Sequence, residues 1–446
     1  MSELRTIVGH ASTVLAGQLA VMAFGVADTV VAGRYSGDAL AALSVGAAIF
    51  ISVYVALMGV VQALLPVWAE MHGAGQAAPL GRSVRQALYL CGAATLLGTA
   101  VLLTPGPLLR WTHVPTALQA DVAHYLAILA LALPAALLFR LYATLNQALG
   151  KPQLVAWLQV ALVLVKVPLT VWFTFGGMGL APQGLAGCAW ATVVDNYVAL
   201  AVALWLLRRQ PFYHPYRFWQ RLEQPHGPML ARFLRLGLPA GLAVMVEVTS
   251  FTLMALFIAR QGAVALAAHQ IAANLAAVMY MVPMSIAIAT SARVSFWLGS
   301  AQPARARQAI YTGFRLAAIA ALGLSATIFI ARYTIPRLYT SQPEVIALAG
   351  GLLAWVAVYQ MADAVQTLCV FVLRCWRITI APLAIYGLLL WGLGLGGGFA
   401  LAYHGLSGTA PWQSPAAFWA AAALALACTA IAFALMLARA LRRGAP

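Results

Sequence analysis

The stretch from Leu236 to Gln302 opens LGLPAGLAVMVEVTSFTLMALFIARQGAVALAAHQIAAN and closes WLGSAQ. It contains two apolar segments, each long enough to cross a bilayer, and the middle of the first carries one acid, Glu247. An ionised carboxylate at bilayer depth costs roughly 2.5 to 3.5 kcal/mol on insertion scales. Such a residue either pairs with a buried cation as a structural device or takes and releases a small cation during transport.

The rest of the chain has the same character. Hydrophobic residues make up 63% of the 446 and charged ones 8%, against about 25% charged in a soluble fold. The expected fold class is therefore an all-α polytopic membrane protein. At about 20 apolar residues per span the length accommodates twelve helices, and no hydrophilic stretch remains for a soluble domain. The net charge of +16 lies in short loops between apolar runs and forms no nucleic-acid module, so contact with anionic membrane lipids and topology are its expected roles. The five cysteines have neither CxxC spacing nor a histidine cluster, which supports no zinc site and no disulfide framework. The apolar run near the N-terminus is too long for a signal h-region and reads as an uncleaved first helix.

Apolar runs and their punctuation place spans at 7-33, 38-70, 85-104, 120-148, 153-174, 184-207, 233-259, 263-298, 308-331, 344-373, 379-403 and 415-438. An even number puts both termini on one side. Seventeen Lys or Arg lie in the connections of that side and five in those of the other, so the positive-inside bias makes the termini cytoplasmic, in the inner membrane.

The chain also repeats. Ala39-Leu40-Ala41-Ala42 answers Ala265-Leu266-Ala267-Ala268, Gly73-Ala74-Gly75-Gln76 answers Gly299-Ser300-Ala301-Gln302, and Arg85-Gln86-Ala87-Leu88 answers Arg307-Gln308-Ala309-Ile310. Six spans per half preserve orientation, so two pseudo-symmetric six-helix lobes are expected, related by an axis along the membrane normal. The expected division is an N-terminal lobe over 1-208, a cytoplasmic linker over 209-228 and a C-terminal lobe over 229-446. The linker holds five aromatic residues and four prolines.

Four of the ten acids fall at depth: Asp28, Asp195, Glu247 and Asp363. Four bases, Arg140, Lys166, Arg293 and Arg315, share that depth, the last two near enough to the cytoplasmic ends to snorkel. In the second half Glu247 and Asp363 have no base near mid-depth in their own spans. Two carboxylates facing one cavity repel until a proton or a cation such as Na+ neutralises them. Phe251 lies one turn after Glu247 and Tyr359 one turn before Asp363, on the same helix faces. Tyrosine offers a donor or a hard oxygen ligand and phenylalanine a ring for a cationic substrate; packing in the core is the competing role for each. In the first half Lys166 shares depth with Asp28 and Asp195, either as a permanent counter-ion in a structural triad or within an ion site.

At these residues the chain resembles the multidrug and toxic compound extrusion (MATE) family, in its bacterial NorM-like branch. The resemblance covers nearly the whole chain and rests on GVADTVVAGRYSGDALAALSVG around Asp28, on FTFGGMGLAPQGLAGCAWAT between spans 5 and 6, and on RLGLPAGLAVMVEVTSF with AAHQIAAN and VPMSIAIATSARVSFWLG. It implies a V-shaped transporter, not an enzyme, that exports lipophilic, often cationic small molecules in exchange for Na+ or H+ by alternating access. It implies no cofactor beyond the coupling ion, and the expected state is a monomer. It maps the family's cation-coupling acids onto Asp28, Glu247 and Asp363, with Tyr359 beside the last. It places Gln270, Phe251 and Asp28 where substrate is contacted, and makes Glu247 and Asp363 the metal ligands if the ion is Na+. Two departures stand out: Thr13 replaces an early proline in span 1, and Lys166 replaces an asparagine near Asp28, with Asp195 as its possible compensating partner. The alternative function is a lipid-linked precursor flippase of related two-lobed architecture, which calls for a cationic cavity.

Overall fold

The computed structural model describes residues 3–111, 115–177, 179–405 and 410–443. Among the described residues, twelve helices long and apolar enough to span a membrane run in order: α1 (Glu3–Tyr35), α2 (Gly37–Gly73), α3 (Ala77–Leu103), α4 (Leu118–Ala148), α5 (Pro152–Phe175), α6 (Leu185–Arg209), α7 (Gly227–Ala259), α8 (Ala263–Gly299), α9 (Pro303–Ala331), α10 (Pro343–Cys375), α11 (Ile380–Tyr403) and α12 (Ala416–Arg442). Among the described residues there is no β-strand, only a single bridge from Gly177 to Leu180. The all-α, twelve-span class read from composition is the class observed, and the chain is a multi-pass membrane protein.

Sequence punctuation explains where helices stop. Ser36 separates α1 from α2, its hydroxyl accepting from the Ala39 amide at 3.0 Å, which satisfies one of the free N–H groups of a helix start. The repeated motif of the second and eighth spans is a helix ending in both halves. After α2, Gly75 turns left-handed (φ 70°) and the Gln76 amide reaches back to Met71 O at 3.0 Å. After α8, Ala301 does the same (φ 55°) and the Gln302 amide reaches Trp297 O at 2.9 Å. These are Schellman-type closures, six residues back to one, which tie up orphan carbonyls. The ends of α4 and α10 form a second such couple, with Gly150 (φ 70°) and Arg377 (φ 61°) and closing bonds Lys151 N to Asn146 O at 2.8 Å and Ile378 N to Leu373 O at 3.1 Å.

The chain divides into two compact units, one of Ala16–Gly241 and one joining the residues up to Leu15 with those from Leu242 onward. In the first, α2 and the start of α7 approach so closely that side chains are excluded: a Cβ on Gly59 would lie 2.9 Å from Gly241 Cα, and one on Gly241 would lie 2.5 Å from Ala56 O. Backbone-to-backbone contact through small residues is the usual packing device where lipid removes the hydrophobic driving force between helices. The segment after α6 is strapped to α3. Arg85 donates from Nε to Glu223 at 3.1 Å and from Nη1 to Arg217 O at 2.7 Å, and Tyr89 donates to Glu223 O at 2.8 Å. Gln86 holds Gln224 O and the His226 amide at 3.0 and 2.8 Å. Tyr213 donates to Asn146 Oδ1 at 2.6 Å. Glu223, outside the spans, is held below the usual carboxylate range by its hydrogen bonds from Arg85.

In the second unit, the Glu3 carboxylate at the start of α1 is fixed to α8. It accepts from Arg293 Nε and Nη2 at 2.8 and 3.0 Å and from Trp297 Nε1 at 2.9 Å. Arg293 is therefore an ion-paired base and not a snorkelling one, a pairing across 290 residues of sequence. Arg315 is exposed. Helix α11 is irregular: Gly387–Gly396 is π-helical between α-helical ends.

Candidate functional site: two groups of buried acids

The two halves hold their acids in different ways. In the first, α1 supplies Asp28, α5 supplies Lys166 and Thr170, and α6 supplies Asp195. Lys166 Nζ donates to Asp28 Oδ2 at 2.8 Å, and Thr170 Oγ1 to Asp28 Oδ1 at 3.4 Å. Lys166 and Asp28 are 3% and 8% exposed, so the ion pair is withdrawn from water. The ammonium also lies 5.1 Å from the centre of the Phe24 ring, which adds a cation–π contact. Asp195 is within Coulombic reach of Lys166 and Asp28, yet the direct partner of the lysine is Asp28. The Asp195 Oδ1 atom is buried with no hydrogen-bond partner among the described residues.

In the second half, Glu247 of α7 and Asp363 of α10 are within Coulombic reach of one another. Asp363 is 1% exposed, and Glu247 is partly open. Around them gather Phe251 and Tyr359, which the sequence pointed to, and neutral oxygens and rings that it did not. Gln366 Nε2 donates to Asp363 Oδ1 at 2.9 Å and to Thr367 Oγ1 at 3.0 Å. Tyr386 of α11 donates to Gln366 Oε1. Tyr280 of α8 bonds Thr367 and lies within Coulombic reach of both acids. One turn along, Tyr359, Phe251 and Trp419 meet edge to face, with ring centres 5.8 to 6.1 Å apart, and His269 adjoins Trp419 at 5.9 Å. Phe251 and Tyr359 thus face each other beside the acid pair, as their shared helix faces require. Gln270 is exposed and lies apart from these contacts.

One base does reach this group. Arg374, 5% exposed, lies within Coulombic reach of Glu247, Tyr280 and Tyr386. It ends an apolar run, which made it look like a loop residue in the sequence. Arg140, the remaining deep base, is buried near Tyr54, with Nε and Nη2 unpartnered among the described residues.

This arrangement suits a small hard cation or a proton. Two carboxylates with hydroxyl and amide oxygens nearby supply oxygen ligands. Among the described residues no three His, Cys, Asp or Glu side chains gather as a metal cluster.

A family model described as MatE matches residues 14–172 and again 239–399. A probable multidrug resistance protein NorM from Aromatoleum aromaticum is 36% identical over 97% of this chain and 94% of its own length. A protein of the same description from Chromobacterium violaceum is 33% identical over 99% and 95%. The crystal structure of the Vibrio cholerae MATE transporter VcmN in the bent form superposes with a TM-score of 0.86 at 20% identity, covering 99% of this chain and 98% of that one. With both halves matched and relatives aligned nearly end to end, the chain belongs to the MatE family.

Proposed function

We propose that the protein is a secondary multidrug efflux antiporter of the bacterial inner membrane, with cytoplasmic termini. It exports lipophilic, often cationic small molecules in exchange for Na+ or H+ by alternating access. The observation that carries this reading is the pair Glu247 and Asp363: two acids within Coulombic reach, one nearly inaccessible, surrounded by neutral oxygens. Like charges so placed are relieved by binding one positive charge. Either a coupling ion or a cationic substrate supplies it, so each weakens the other through a coupling free energy of about 1 to 3 kcal/mol.

In this reading the six-helix lobes are 1-208 and 229-446, joined by 209-228. Glu247 and Asp363 take the ion, with Tyr359 beside them; if the ion is Na+, the two carboxylates are its charged ligands. Phe251 and Gln270 serve the substrate, Phe251 through its ring. The names of the curated relatives, multidrug resistance proteins, support export of small molecules and do not favour the flippase alternative.

The test is ethidium efflux from proteoliposomes under an imposed Na+ gradient or an imposed pH gradient, with wild type and Glu247→Gln. Efflux driven by one gradient and lost in the variant is the expected result and names the ion. Full efflux by both Glu247→Gln and Asp363→Asn would sink the assignment.

A further inference from the structure

The first-half acid group does not repeat the second. Its deepest feature is a lysine whose ammonium already stands against Asp28 at 2.8 Å, where an incoming cation would have to sit. The same ammonium is walled in by the Phe24 ring at 5.1 Å and is 3% exposed. A free ion can leave; an ammonium fixed to α5 by its own side chain cannot. Charge counting then isolates Asp195. Asp28, Lys166 and Asp195 together carry one negative charge in excess, and Lys166 spends its direct hydrogen bond on Asp28. The unbalanced group is the buried carboxylate whose Oδ1 has no partner among the described residues. A buried carboxylate oxygen without a donor is costly when ionised and is relieved by a proton.

We infer that Lys166 is a tethered counter-ion that permanently takes the place of an exchangeable ion at Asp28, and that Asp195 holds the one exchangeable proton of the first half. The inference rests on the antiport reading only in giving that proton a use. Asp28 then binds neither Na+ nor H+ in turnover, and ion coupling at Glu247 and Asp363 is not duplicated in the first half. The groups that face Asp28 are Lys166 and Thr170 from α5, Asp195 and Cys188 from α6, and Tyr125 from α4. Of these only Asp195 is a second acid of the carboxylate range.

The experiment is infrared difference spectroscopy of the purified full-length protein in detergent, between alkaline and mildly acidic pH, read in the protonated carboxyl stretch. In the wild-type background, Asp195→Asn should remove one titrating component, and Asp28→Asn should move that component toward acidic pH, because Lys166 is then left with Asp195 as its acid. Lys166→Gln should add a component that Lys166→Gln with Asp28→Asn removes. A titrating component that survives Asp195→Asn and is lost only in Asp28→Asn overturns the inference, as does a spectrum unchanged by Asp195→Asn. If Lys166→Gln does not fold, the two single acid variants still decide. The spectra require no transport, so failed ethidium efflux with this pattern would sink the antiport reading alone. Efflux with the opposite pattern would sink this inference alone.

Discussion

The two halves share their helix endings and differ in what they do with buried charge. In the first, one of the two acids at depth is matched by a lysine one hydrogen bond away; in the second, two acids share the field of one arginine that lies near the end of its helix. The same scaffold therefore carries a closed ion pair, Asp28 with Lys166, and an open acid pair, Glu247 with Asp363. A closed group resists substitution of either member, because removing one partner strands a buried charge. An open group tolerates neutralisation, because a protonated or amide side chain removes repulsion.

The largest expected effect follows from that contrast. Asp28→Asn should destabilise the protein by about 2 to 3 kcal/mol, because Lys166 loses its hydrogen-bonded carboxylate and keeps Asp195 only at longer range. Adding Lys166→Gln should recover most of the loss. Asp363→Asn should leave stability unchanged or raise it while reducing driven ethidium efflux at least about tenfold. Thermal unfolding in detergent, alongside proteoliposome efflux, separates the two; equal loss of stability in both halves would erase the distinction.

A smaller effect concerns the straps. Arg85 and Arg307 occupy matching positions in the repeat, but Arg85 bonds chain that follows α6, at Glu223 and Arg217 O, whereas Arg307 bonds the last turn of α12, at Leu441 O at 3.1 Å. Arg85 is buried and makes several bonds, whereas the Arg307 contact is exposed. Arg85→Ala should cost about 1 to 2 kcal/mol and Arg307→Ala less than about 0.5 kcal/mol. The Arg85 loss should also depend on pH. The strap lowers Glu223 from its usual 4.5, so its contribution is complete above that value and is lost as pH falls through the depressed folded value. Unfolding followed across that window should show a pH slope in wild type that is flattened in Arg85→Ala.

The smallest effect tests the helix endings. Gly75 and Ala301 hold equivalent left-handed positions, but only glycine does so without Cβ strain. Gly75→Ala should cost about 1 kcal/mol and Ala301→Gly should gain about 0.5 kcal/mol or more. Opposite shifts in the unfolding midpoint are the expected readout; shifts of one sign would mean the endings are not equivalent.

Much of the fold was legible because lipid simplifies the code. Apolar runs of spanning length had to be helices, and the paired GAGQ and GSAQ motifs were legible as a repeat, which the structure shows to be two matching helix ends. The acids at depth announced themselves by their cost. Their surroundings did not: Tyr280, Gln366, Thr367, Tyr386 and Trp419 are neutral, and a neutral polar or aromatic residue in an apolar run is not expensive enough to stand out. Arg374 was concealed by its position at the end of a run. The Arg293 to Glu3 pair joins residues too far apart in sequence for periodicity to connect them, and Lys166 gave no sign of which acid it would choose.

The π-helical stretch of α11 gives the second acid group an unusual neighbour. Where hydrogen bonds reach five residues back instead of four, the turn carries a surplus residue. Passing that surplus along the helix needs no net loss of hydrogen bonds, yet it screws the chain behind it by about 100° and advances it by about 1.5 Å. Tyr386 stands at the edge of this stretch, with its hydroxyl on Gln366 and, through it, on Asp363. The helix that holds the outermost link to the carboxylate is thus one that can swivel without melting.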